Sequence, residues 1–66
     1  MIYLNSSAIR AAHYNEHSQV LAITFVSGMN YDYYGVSKLI YLSLINASSV
    51  GEYFNEYIRD KYRSNR

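Results

Sequence analysis

The 66-residue chain has no cysteine and no proline, carries a formal net charge of only +1, and contains no long hydrophobic run. Each absence removes a class of answer. Without cysteine there is no disulfide and no thiolate metal site, which fits a reducing cytoplasm. Without an apolar stretch of ~20 residues there is no membrane span to expect. The near-neutral charge supplies no global attraction to nucleic acid or to an anionic membrane. Met1 to Ser7 lacks the basic start and long apolar core of a secretory signal. The Asn-x-Ser sequons at Asn5 and Asn46 therefore read as chance matches, and a cytoplasmic location is expected.

What the chain does have is aromatic rings, nine tyrosines and two phenylalanines. A domain near this size buries only roughly 60% of its unfolded surface and often leans on staples or oligomerisation. Rings substitute for such staples, or feed a dimer interface. The densest cluster is Tyr31-Asp32-Tyr33-Tyr34. Tyrosines on a strand either fill a core or stand exposed and stack on nucleic-acid bases. Which of these applies depends on the direction in which Tyr31 and Tyr33 point.

No linker, repeat or low-complexity stretch divides the chain, so residues 1–66 are expected to form a single α+β domain. The pattern predicts a three-stranded antiparallel sheet, with strands at about 8–14, 20–26 and 29–34. Two helices, at about 38–46 and 50–62, are expected to pack on one face of it, with a short basic tail from about 62. Leu21, Ile23 and Phe25 share one parity of the second strand. For them to share a side with Tyr31 and Tyr33, the hairpin loop must be three residues, Val26-Ser27-Gly28, with Gly28 at a left-handed bulge position. That register pairs Phe25 with Met29, Ile23 with Tyr31 and Leu21 with Tyr33. It sends Tyr31 and Tyr33 toward the helices and leaves Asp32 and Tyr34 outside. In the first strand, Ile9 and Ala11 compete with Ala12 and Tyr14 for the inward side, and the pattern leaves both options open.

Ser37 is a good N-cap for the first helix, whose Leu39, Ile40, Leu42, Leu44 and Ile45 are apolar nearly all round and predict extensive burial. Ser49-Val50-Gly51-Glu52 has the form of a capping box, opening a helix in which Val50, Tyr53, Phe54, Tyr57 and Ile58 follow 3–4 spacing.

Catalytic candidates are poor, and no enzymatic role is expected. There is no Gly-rich phosphate loop and no constellation of nucleophile, base and orienter. Ser6, Ser7 and Ser49 each have a turn or capping explanation. His13 and His17 flank Glu16, but that stretch reads as strand end and loop, where the one-face spacing of a helical metal site does not apply. Neither a metal nor a cofactor is expected. Glu52 and Glu56 stand at i, i+4 on what reads as a solvated helix face.

Charge, though small in total, is uneven. Between Arg10 and Arg59 only Lys38 is basic, and then Arg59, Lys61, Arg63 and Arg66 crowd the C-terminal end. With tyrosines nearby, Arg59, Lys61, Arg63, Arg66 and Arg10 are the candidate nucleic-acid contacts. The competing explanation is that a basic helix end complements the helix dipole, with Glu52, Glu56 and Asp60 nearly cancelling its charge. A second functional reading is a protein-binding module. Its outward sheet face would carry Ala12, Ala22, Thr24, Asp32 and Tyr34, with Tyr34, Asp32 and Thr24 as partner contacts. Flat faces with tyrosines suit protein interfaces, and self-association into a homodimer would use the same face.

Taken together, Ser6-Ser7-x-Ile9, Tyr14, Leu21-x-Ile23-x-Phe25-x-Ser27-Gly28, Tyr31-x-Tyr33, Val36, Tyr41-x-x-Leu44, Ala47-x-Ser49-x-Gly51-x-Tyr53-Phe54-Asn55 and Ile58-Arg59-x-x-Tyr62 resemble the KTSC domain family. That family takes its name from a C-terminal piece of some lysyl-tRNA synthetases, and it also occurs as stand-alone bacterial and phage proteins. The resemblance covers nearly the whole chain. It implies a small α+β domain, with RNA binding suggested by the synthetase association. For a phage-encoded member the location would be the host cytoplasm. One departure stands out. The family often has lysine between the Ser and Gly that open the second helix, and this chain has Val50. If that lysine contacts phosphate, the contact is absent here.

Overall fold

The computed structural model describes residues 2–65. Its elements run β1 (Ile2–Tyr3), β2 (Ile9–Asn15), β3 (Val20–Phe25), β4 (Asn30–Tyr33), α1 (Lys38–Ile45) and α2 (Val50–Tyr57). The strands form one antiparallel sheet in the order β1-β2-β3-β4. The sheet is therefore four-stranded among the described residues, one more than the sequence suggested. The addition, β1, is too short to leave a periodic signature. It pairs Ile2 with Ala12 and Tyr3 with Ala11.

The β3–β4 register is the one parity required. Leu21 faces Tyr33 and Ile23 faces Tyr31, and the Phe25 amide donates to the Met29 carbonyl at 2.9 Å. Gly28 sits at φ 95° in open space, so its requirement is backbone freedom rather than room. The β2–β3 connection is an Asx turn, in which Asn15 Oδ1 accepts from the amides of His17 and Ser18 at 3.0 and 3.2 Å.

The parity conflict in β2 is resolved by a bulge between Ile9 and Ala11. Ile9 pairs with Phe25 and Ala12 with Ile23, so both face the helices, and Ala11 is left opposite Thr24 on the other side. The extra residue resets the alternation halfway along the strand. Ala12, expected on the outward face, is thus a core residue, and Ala11 takes its place outside.

Nine residues form the core cluster: Ile9, Ala12, Leu21, Ile23, Tyr33, Val36, Leu44, Phe54 and Ile58. Rings tie it together. Phe54 meets Phe25 and Tyr33 edge-on at 5.5 Å each, and Tyr14 stacks on Tyr41 at 5.0 Å. The Tyr14 hydroxyl donates to the Val36 carbonyl at 2.6 Å. Edge-on ring pairs add about 0.5–1.5 kcal/mol each beyond area burial, a useful supplement in so small a domain.

Both helices start at serine caps. Ser37 Oγ accepts from the Ile40 amide and Ser49 Oγ from the Glu52 amide. The extensive burial expected of α1 is not found: Leu44 is buried, while Leu39 is 72% and Leu42 39% exposed. The helix packs against α2 and β2 at one end of the sheet instead of across its middle, so one side has nothing over it. The expectation that α2 reaches residue 62 also fails. The amides of Ile58 and Arg59 both donate to the Phe54 carbonyl, and Asp60 adopts a left-handed φ of 60°, which turns the chain back. Residues 63–65 then run beside β4. The Tyr34 amide donates to the Arg63 carbonyl at 2.8 Å, Tyr33 bridges Ser64, and the Asn65 amide donates to the Asp32 carbonyl at 3.2 Å. The expected basic tail is, through residue 65, a strap on the sheet edge.

Candidate functional site

Where the β3–β4 hairpin overhangs the first turns of α2, the covered face of the sheet opens into a groove of about 430 Å³. The hairpin contributes Phe25, Met29 and Tyr31, and helical spacing brings Gly51, Phe54, Asn55 and Arg59 to the other wall. Phe25 meets Tyr31 and Phe54 edge-on at 5.5 Å each, forming a continuous aromatic floor. Met29, 53% exposed, and Val26 form an apolar lip.

Arg59 is exposed at the mouth. Its Nη1 reaches Asn55 Oδ1 at 3.5 Å, a long contact. Among the described residues the only ion pair is Lys38–Glu16, 2.9 Å apart on the surface, so no carboxylate holds the Arg59 guanidinium. The hydrogen bond and charge of Glu16 raise the Lys38 pKa above its ordinary value. Arg10, projecting from the β2 bulge, donates from Nη2 to the Val26 carbonyl at 3.1 Å and so stands at the groove's lip.

The fold therefore divides the candidate cations. Arg59 lines the groove, and Arg10 is bonded to the Val26 carbonyl at its lip without lining it. Lys61 lies in the turn after α2, Arg63 lies beside Tyr34 at the β4 edge, and Arg66 falls outside the described residues. Tyr31 and Tyr33 point toward the helices, with Tyr33 buried and Tyr31 half-buried in the groove wall. Of the outward residues, Tyr34 is 38% exposed just past β4, and Asp32 and Thr24 are half-buried on the sheet face, where Thr24 Oγ1 donates to Asn30 Oδ1 at 2.7 Å.

The serines have local roles. Ser6 Oγ accepts from the amides of Ala8 and Ile9, and Ser49 caps α2. A smaller polar cleft of about 240 Å³, with Asn5, Ser6, Ser49 and Val50 in its wall, lies at the start of α2. His13 lies on the outer sheet face and His17 in the β2–β3 turn, and among the described residues no His, Cys, Asp and Glu cluster could hold a metal.

The sequence pointed to Arg59 as a contact and to Tyr31 as a core residue, but not to the groove that joins them. Phe25, Met29, Phe54 and Asn55 were read only as structure. The available signal was the pairing of Phe25 with Met29 at the hairpin end, together with the 51, 54, 55, 59 spacing on one side of α2.

Comparison with known proteins agrees with the fold. A family model described as the KTSC domain matches residues 5–62. A protein of Tsukamurella paurometabola is 36% identical over 61 residues, covering 92% of this chain and 91% of that one. A lysine–tRNA ligase of Nostoc punctiforme is 37% identical over 57 residues, which make up 86% of this chain but 10% of the ligase. The crystal structure of a KTSC domain protein from Yersinia pestis superposes with a TM-score of 0.93 at 26% identity, covering 97% of this chain and 90% of that one.

Proposed function

The chain belongs to the KTSC domain family, and on that premise we propose that it is a non-catalytic binding module for single-stranded RNA. The observation that carries this reading is the groove in which Phe25, Tyr31 and Phe54 lie beside the uncompensated guanidinium of Arg59. Single-strand binders combine stacking rings with cations that track the phosphates, and RNA readers take splayed-out bases against aromatic side chains. An unstacked base enters over Tyr31 and Met29, a neighbouring phosphate meets Arg59, and Arg10 serves the next. The match to a segment of a lysine–tRNA ligase supports an RNA ligand, although that segment is only 10% of the enzyme. A ligand of this kind suits a cytoplasmic protein. Lys61 and Arg63, set away from the groove, contribute to the surrounding field rather than to contacts.

The test is fluorescence anisotropy with short single-stranded RNA. Binding should weaken with salt at a log–log slope of about −1.4, as expected for two phosphate contacts on a single strand. Arg59→Ser should flatten that slope, and Tyr31→Ala should cost about 1–3 kcal/mol of binding, the range for one stacked base. An absence of binding at low salt would end the proposal.

A further inference from the structure

Both helices pack on one face of the sheet, and among the described residues no helix or strand crosses the other. One edge of the sheet is the two-residue β1, and the other, β4, is lined by residues 63–65. Neither is a long free strand edge, and the larger open surface is the face itself. Its centre is built from small residues. Ala11 is only 1% exposed although it lies outside the core cluster, and Ala22 and Thr24 follow it across β3. A floor this shallow lets a second sheet approach to the ~10 Å spacing of face-to-face packing.

The charges on this face select the occupant. Strand pairing sets His13, Ala22 and Asp32 in one cross-strand row, with the imidazole on β2, the methyl in the middle and the carboxylate on β4. We infer that the face receives a second copy of this chain, related by a two-fold axis running parallel to β3 over Ala22. That rotation reverses the row, so each His13 stands over the other copy's Asp32, where an imidazole N–H donates to the carboxylate. It also keeps the strands of the two sheets aligned, the common packing class. The alternative axis, perpendicular to the strands, would set Asp32 on Asp32 and is opposed by like charge. Tyr3, 76% exposed on the same side as Ala11, closes the rim. A face only four strands wide, at ~4.8 Å per strand, falls below the roughly 800 Å² per partner of a standard interface. The dimer is accordingly weak and reversible.

Sedimentation velocity over about 10 μM to about 1 mM, the range in which weak dimers dissociate, tests this. The wild-type mass should rise to that of a dimer. Asp32→Lys and His13→Glu, each checked for folding by circular dichroism, should each raise the dissociation constant by at least about tenfold, and the doubly substituted chain should recover it. His13 is exposed, so His13→Glu keeps the test valid even if Asp32→Lys disturbs the strap on β4. A monomer throughout the series would overturn the proposal. So would a dimer insensitive to both single substitutions, a double variant that fails to recover, or a dimer lost instead with Leu39→Ser on α1.

Discussion

The covered face of the sheet has an aromatic cluster at each end, and the two ends are finished differently. At one end Tyr14 stacks on Tyr41 of α1, and its hydroxyl is used on the Val36 carbonyl. At the other, Phe25 meets both Tyr31 and Phe54 of α2, and the rings border an open groove. All of these rings except Phe54 are half-buried. What separates a packing cluster from a binding groove is whether an element lies over the rings. Tyr41 of α1 covers the Tyr14 ring at one end, and the groove at the other stays open with a cation at its mouth.

The largest expected effect comes from the ring that serves both the groove and the deep core. Phe54 contacts Phe25 and Tyr33, and Phe54→Ala should cost about 3–5 kcal/mol. That is comparable to the whole stability of so small a domain, so the variant should be largely unfolded by circular dichroism in water. A cooperative urea transition near the wild-type midpoint would show that Phe54 is peripheral.

A matched pair of truncations tests the comparison itself. Tyr14→Ala removes the closed cluster's stack and its hydrogen bond, and should cost about 3 kcal/mol in urea unfolding with little effect on RNA affinity of the folded fraction. Tyr31→Ala removes a groove wall, and should cost less stability, about 1–2 kcal/mol, while weakening RNA. Equal loss of RNA binding in both variants would erase the distinction between the two ends.

The sequence made this contrast legible only in part. The β3–β4 register followed from parity, because Leu21, Ile23 and Phe25 alternate cleanly and Gly28 marks where φ turns positive in the hairpin loop. The bulge in β2 left no comparable mark. It contains no glycine, and Ile9 and Ala12 are both apolar, so either parity looked acceptable. An all-round apolar helix suggested burial, yet the position of α1 at the sheet's end, which no local pattern encodes, leaves Leu39 in solvent. The C-terminal strap depends on Asp60 entering the left-handed region, a conformation aspartate tolerates but does not announce. The groove was hidden for the same reason, since Phe25 and Phe54 become neighbours only through tertiary packing.

A finer cut at the closed end leaves the ring and removes only its tip. Tyr14→Phe keeps the stack on Tyr41 but deprives the Val36 carbonyl of its 2.6 Å donor. The expected cost is about 1–2 kcal/mol by urea titration, between the value of a typical hydrogen bond and the penalty of leaving an acceptor unmet. A neutral result would mean that water replaces the hydroxyl, and that the closed end is less sealed than its geometry indicates.

The smallest effect should come from the ion pair that clasps the closed end from outside, linking Glu16 in the β2–β3 turn to Lys38 at the start of α1. Both side chains are more than half exposed, so the attraction is screened by water and salt. Glu16→Gln should lower Tm by less than any change above, and the difference from wild type should vanish in about 1 M salt, where the screening length falls to about 3 Å. The raised Lys38 pKa fixes the sign of the pH dependence. The folded state holds the Lys38 proton more tightly than the unfolded chain does, so this contribution is complete below the ordinary lysine value of 10.5 and is lost as pH rises through the higher folded value. A Tm difference between wild type and Glu16→Gln that survives high salt would show that Glu16 acts by packing or turn geometry. The clasp would then belong to the same steric closure as the Tyr14–Tyr41 stack.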